Sequence, residues 1–169
     1  TLIRMDGWTW EDLTLRAAVA LHVYWPGMNV NRDPGAARPA ADQERAINDN
    51  IRRLRDAFAS ARAYLKAKEG AGKPVDLDSR WEAMIPALEG KTPVLVWANN
   101  ILQIQAAVSW AEDENIKLVI GGGYDAWRAA DLLKAKNIPV LAGGILRTPT
   151  RRHEDYDTPY SLPAKLYQA

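Results

Sequence analysis

The spacing of hydrophobic positions changes character along the chain, and each change predicts an element. Residues 17–23, Ala-Ala-Val-Ala-Leu-His-Val, are nearly continuous in apolar side chains and are bounded by Pro26-Gly27, which predicts a buried strand. Residues 26–40 hold Pro26, Gly27, Pro34, Gly35 and Pro39 and read as a loop. From 41 to 68, Ile47, Ile51, Leu54, Phe58, Ala61 and Leu65 recur in steps of four and three, one stripe of a long helix whose other faces carry Arg, Lys, Asp and Glu. The stripe is short for a coiled-coil seam and suits a helix packed on a domain. Gly70-Ala71-Gly72-Lys73-Pro74 makes continuation unfavourable. A shorter helix is expected over 79–88, with Asp78 or Ser79 as cap and Gly90 as stop, and Pro86 predicts a kink or an early end.

From Pro93 onward the pattern becomes regular. Short apolar strands at 94–97, 117–120 and 138–141 alternate with amphipathic helices, one marked by Ile101, Ile104, Val108 and Ala111, the other spanning 125–136. This is the pattern of parallel strands joined by helical crossovers, with a repeat of about 22 residues. Such strands are expected to be buried on both faces. The fold class is therefore α/β, either a small open doubly wound sheet or part of a β/α (TIM-type) barrel. A whole barrel takes about 250 residues, more than the 169 present. The chain divides into a strand and loop (1–40), a helical segment (41–91), regular β/α repeats (92–146) and a C-terminal loop with a short helix near Ala164 (147–169).

Composition narrows the partners. Hydrophobic residues make up 47% and charged residues 25%, with a formal net charge of +1, so no long-range field recruits nucleic acid or an anionic membrane. The basic pair Arg151-Arg152 is followed at once by Glu154, Asp155 and Asp157, which cancels a local patch. No apolar run approaches bilayer length, so a soluble chain is expected, cytoplasmic by default. The absence of cysteine excludes disulfides and thiolate metal sites. The first residue is Thr1, with no leader pattern behind it, which suggests either that a leader has been removed or, the favoured expectation, that the chain starts inside a longer protein.

In parallel α/β folds, reactive groups sit at the carboxyl ends of strands. Those positions hold Trp97, Asn99 and Asn100, then Gly122, Gly123 and Tyr124, then Arg147. They are candidate ligand-facing residues, and none of the Asn or Gly residues is a general acid, a general base or a nucleophile. The run Gly121-Gly122-Gly123 could let an anion meet backbone N–H groups at the start of the next helix, or could simply make a tight turn. It lacks the P-loop lysine and the dinucleotide spacing. Of the two histidines, His22 reads as a core residue bonded to backbone and His153 as a solvated one. No serine sits in a nucleophile elbow, and the acidic residues after Arg152 read as solvated. No catalytic set, no metal site and no cofactor follow for this chain. Among the seven tryptophans, Trp8, Trp10 and Trp25 fall near the start, where core packing is the expected role and a sugar or partner surface the alternative.

Three stretches together resemble the amidohydrolase superfamily in its imidazolonepropionase-like branch. The first is Asp6-Gly7-Trp8-Thr9-Trp10-Glu11-Asp12 leading into Ala20-Leu21-His22-Val23. The second runs from Lys91-Thr92-Pro93-Val94-Leu95-Val96-Trp97-Ala98-Asn99 to Gly122-Gly123-Tyr124-Asp125-Ala126-Trp127-Arg128. The third is Arg151-Arg152 with Tyr156-Asp157-Thr158-Pro159-Tyr160 and Leu162-Pro163-Ala164. The resemblance implies a β/α barrel and metal-dependent hydrolysis of C–N bonds, with zinc or a similar divalent ion held by an H-x-H pair, by histidines closing two middle strands and by a late aspartate. Here H-x-H is absent, the strand end that usually reads Val-His-Ala reads Val96-Trp97-Ala98, and the next strand ends in glycines. The implied object is an interior barrel fragment, inactive alone unless flanking sequence supplies the ligands. Its uncovered sheet edges would be covered by a second copy, as a homodimer, or by the helix at 41–68.

Overall fold

The computed structural model describes residues 1–70, 75–149 and 151–169. Four parallel strands form the main sheet: β3 (Leu21–Tyr24), β4 (Val94–Ala98), β5 (Leu118–Gly122) and β6 (Val140–Ala142), hydrogen-bonded in that sequential order. Ahead of them, β1 (Leu2–Ile3) and β2 (Thr14–Arg16) make a separate antiparallel ribbon around a one-turn helix, α1 (Trp10–Leu13). The helices that follow are α2 (Ala40–Glu69), α3 (Ser79–Leu88), α4 (Ile101–Asp113), α5 (Ala130–Ala135) and α6 (Thr158–Gln168), with a 3-10 turn at Ala126–Ala129.

The long-helix stripe becomes the inner face of α2. Phe58 meets Trp110 of α4 edge to face at 4.9 Å, and Trp25 meets the same indole at 5.6 Å. Ile51 and Leu54 pack against this cluster, and Phe58 and Ala61 are buried. Arg55 reaches Asp113 at 3.1 Å and Arg62 reaches Glu114 at 3.3 Å, tying the outer edges of the two helices. Glu82 of α3 takes hydrogen bonds from the Tyr64 hydroxyl (2.7 Å) and from Lys68 (2.5 Å), fixing α3 to the end of α2. Helix α2 ends at Glu69, where Gly70 caps it. The rest of the expected stop, 71–74, lies outside the described residues. Pro86 does not shorten α3, which runs on to Leu88, and Gly90 beyond it takes a positive φ of 69°.

The expectation that both sheet faces are buried is corrected. Val23, Val94, Val96, Leu118 and Ile120 pack in one core with α2, α4 and α5. The alternate residues point the other way, and there His22, Tyr24 and Leu141 are exposed, Trp97 and Val119 are half-buried, and Leu95 and Gly121 in the middle are buried. The period of two along a strand sends neighbours to opposite faces, and the described helices pack on one of them. Sequential order with one-sided helices is the winding of a β/α barrel rather than of a doubly wound sheet. The chain has the architecture of part of such a barrel. Helix α2 packs beside α4 and leaves the other face open.

Four local expectations also change. The first strand begins at Leu21, because 17–20 do not join the sheet. The helix expected over 125–136 is broken into the 3-10 turn and α5. The tail carries an eleven-residue helix, α6, where loop was expected up to Ala164. Its Pro159 sits in the first turn, where a missing N–H costs nothing, and Leu162 is buried beneath it. Trp8 and Trp10 are not core residues: Trp8 is 99% exposed and Trp10 is exposed on the ribbon, whereas Trp25 is buried.

Candidate functional site at the strand ends

Tyr24, Trp97 and Gly121 lie side by side across β3, β4 and β5. The Trp97 indole N–H donates to His22 Nδ1 at 3.1 Å, and the Tyr24 ring stacks on Trp97 with centroids 6.1 Å apart. The indole lies over Gly121, where an added Cβ would stand 3.0 Å from Trp97 Cε3 and 3.2 Å from Leu95 Cδ1. So the sequence pairs the largest side chain with the absent one. His22, expected in the core and bonded to backbone, is instead on the exposed face with an indole as its partner. His153 is exposed.

This geometry bears on the metal ion that the resemblance implies. An indole nitrogen donates and has no lone pair to offer. Its hydrogen bond requires an unprotonated Nδ1 on His22, which places the neutral ring's proton on Nε2 and leaves no free lone pair. Among the described residues no group of three or more His, Cys, Asp or Glu is gathered for a metal ion. The side chains at these strand ends do not fit one.

Asn100 serves the scaffold. It caps α4, accepting from Gln103 N–H at 2.9 Å, while Gln103 Oε1 accepts from the N–H groups of Asn99 (3.0 Å) and Asn100 (3.2 Å). The Gln103 amide then donates to the Trp25 and Pro26 carbonyls, joining the end of β3 to the start of α4. The spacing Asn-x-x-Gln is a capping-box pattern that could have revealed this role from sequence. Asn99 is exposed and abuts Gly122, whose positive φ of 84° and lack of a side chain are both needed, since an added Cβ would stand 2.5 Å from Asn99 Oδ1.

The triple glycine makes a turn whose N–H groups are already used. Gly123 N–H donates to Ala98 O, Asp125 N–H to Asn99 O and Ala126 N–H to Gly123 O. Next to it stands the feature least visible in the sequence. Asp125, 1% exposed, receives two hydrogen bonds from Arg151 at 2.8 and 2.7 Å and one from Ile101 N–H at 3.1 Å. Arg151 also pairs with Glu154 at 2.9 Å, and Glu154 accepts the Tyr124 hydroxyl at 2.6 Å. Glu154 is therefore not the solvated loop acid that the charge run predicts. Burial pushes its carboxyl up, but the Tyr124 hydroxyl and Arg151 outweigh that and hold it below the usual range. The Asp125 carboxylate drives Arg151 further towards its charged form. Two cations lie against the Tyr124 ring, the Arg147 guanidinium 4.5 Å and that of Arg151 5.6 Å from its centre.

A cavity of about 780 Å³ lies at the opposite, amino end of the strands among Lys91, Lys117, Asn115, Asn137 and Pro139. It contains none of the strand-end candidates, and the fold's chemistry belongs at the carboxyl ends.

No protein-family model and no curated protein matches this sequence. Among solved structures, an amidohydrolase from Thermotoga maritima MSB8 matches with a TM-score of 0.72 and 22% identity over 98% of this chain and 43% of that one. The chain thus spans less than half the length of that amidohydrolase. At this identity the likeness is one of fold: an amidohydrolase-like α/β architecture.

Proposed function

We propose that this amidohydrolase-like barrel segment is not a hydrolase in its present form, and that its strand-end face binds a small ligand. The observation that supports this is the Trp97 indole, bonded to His22 Nδ1 and spread over Gly121 at the place where a metal-dependent hydrolase needs ligating atoms. The three sequence stretches around Trp8, Trp97 and Tyr160 favour an imidazolonepropionase-like ancestry within the superfamily. The deciding measurement is the metal content of protein purified without chelator or histidine tag. Less than a tenth of an equivalent, about the background level, of zinc, iron or manganese is expected. Stoichiometric metal would overturn the reading and return the chain, or a longer protein containing it, to the metal-dependent hydrolases.

A second reading concerns assembly. Strands β3 and β6 each pair on one side only among the described residues, and the face bearing Tyr24 and Leu141 is exposed. A sheet of four strands is half of an eight-stranded barrel. Two copies, face to face, would shield both. Light scattering coupled to size exclusion should give a dimer mass for the 169-residue chain, and a monomer at all concentrations would sink this reading.

A further inference from the structure

The ribbon ahead of the sheet takes no part in the core. Its large apolar side chains, Leu2, Ile3, Met5, Trp8, Trp10 and Leu15, are all exposed, Met5 at 93%. The core cluster includes no residue before Leu21. Arg4 donates from its backbone N–H to Leu13 O and from its Nε to Asp12 O, and the Thr14 hydroxyl donates to Trp10 O, bonds that hold the ribbon to itself. A two-stranded ribbon is marginal alone, and an apolar surface of this kind marks a contact site. Asp6, Glu11 and Asp12 outnumber Arg4 and Arg16, which speaks against an anionic membrane as the partner. At the far edge of the sheet, a hollow of about 460 Å³ lies between α5, α6 and β6, lined by Leu133, Ile138, Val140, Leu166 and Tyr167. Tyr167, 92% exposed, stands at its rim.

We propose that the ribbon is an arm exchanged between two copies of this chain, each seating Trp8 and Trp10 in the hollow beside β6 of the other. The inference rests on the assembly reading and names the surfaces that make the dimer. Strands β3 and β6 are the two edges of the sheet, so in an eight-stranded parallel ring of two such sheets each β3 neighbours the other copy's β6. The ribbon enters β3 through 17–20 at the amino end of that strand, and Ile138 precedes β6 at the same end. Ring closure therefore carries the ribbon to the hollow of the other copy. The ribbon's own hollow lies three strands away, about 14 Å at the usual spacing. The two indoles of one ribbon present on the order of 300 Å². A two-fold exchange buries both ribbons and the surfaces that receive them. That total, on the order of 1,200 Å², reaches the lower bound of a stable interface before any strand pairing is counted.

The test is sedimentation equilibrium of the full 169-residue chain. The double variant Trp8→Ser/Trp10→Ser should weaken dimerisation about a hundredfold or more. Tyr167→Glu should weaken it about tenfold or more. Leu102→Gln, on α4 over the middle of the sheet, should leave it unchanged. Because the ribbon lies outside the core, these variants should keep the wild-type circular dichroism. The chain has no cysteine, so the double variant Trp8→Cys/Tyr167→Cys reports the contact directly, and mild oxidation should give a covalently linked dimer. An internally bridged monomer would place the ribbon on its own chain and overturn the exchange, as would thiols that stay free where the wild type is dimeric. A monomer that sediments with phosphatidylcholine vesicles through Trp8 would assign the ribbon to a lipid surface instead. A wild-type monomer at all concentrations would sink the assembly reading and this inference with it, whereas a dimer indifferent to Trp8→Ser/Trp10→Ser would sink the arm alone.

Discussion

Arg151 grips Asp125 with two parallel hydrogen bonds, and the Asp125 carboxylate at the same time accepts the first N–H of α4. One buried anion thereby joins the end of β5, the start of α4 and the segment that leads into α6. A buried carboxylate is tolerated only with such partners.

Arg151→Met should therefore cost about 3–5 kcal/mol of stability near neutral pH, because it leaves the Asp125 charge buried and half-satisfied. Asp125→Asn in the same protein should recover part of the loss. Urea midpoints with unchanged slopes would measure both, and a single variant within experimental error of the wild type would show that the pair is not a structural anchor.

Glu154 supplies a pH signature. Its folded carboxyl titrates below the ordinary value of 4.5, so the stability it contributes is present above that value and is lost as the pH falls through the folded one. Tyr124→Phe removes the hydroxyl that accounts for the largest lowering effect. The acid limb of stability against pH should then move to higher pH in the variant. Superimposable acid limbs would mean that the hydroxyl does not hold the carboxylate.

Trp97→Phe keeps a ring over Gly121 and removes the donor to His22. In the wild type the neutral His22 ring should be the Nε2–H tautomer, visible in its ring carbon and nitrogen shifts. The variant should gain the Nδ1–H form. A wild-type ring already in the Nδ1–H form would contradict the indole contact directly.

Gly121→Val tests the pairing of a large with an absent side chain. Overpacking against Trp97 and Leu95 should cost about 1–3 kcal/mol, and Trp97→Ala should relieve much of it. Additive losses in the double variant would show that the two positions are not coupled.

Much of the fold could be read from spacing. The Ile47-to-Leu65 stripe, the strands at Val94 and Leu118, and the Asp78 cap all follow from local periodicity and turn chemistry. What could not be read depends on tertiary packing. Nothing local tells an apolar strand covered on two faces from one covered on one, so His22 and Leu141 read as buried as Val23. Pro159 and Pro163 resemble loop residues until Leu162 is seen to be held in the core. The strand-end positions were legible as a region but not as chemistry. Asp125 and Arg151 stand far apart in sequence, and Arg151 lies in a charge run whose appearance is that of a wet loop.

The sheet order has a kinetic consequence. Strands β4, β5 and β6 follow one another through single crossovers, whereas β3 reaches β4 only after all of α2 and α3. Loop closure entropy rises with the intervening length, and local pairings form first. In pulse-labelled hydrogen exchange, amides of β4 and β5 should be protected before those of β3, and simultaneous protection would count against this order. The stacking of Tyr24 on Trp97 is then among the last contacts to form, so the aromatic surface is assembled on a half-sheet that already holds its shape.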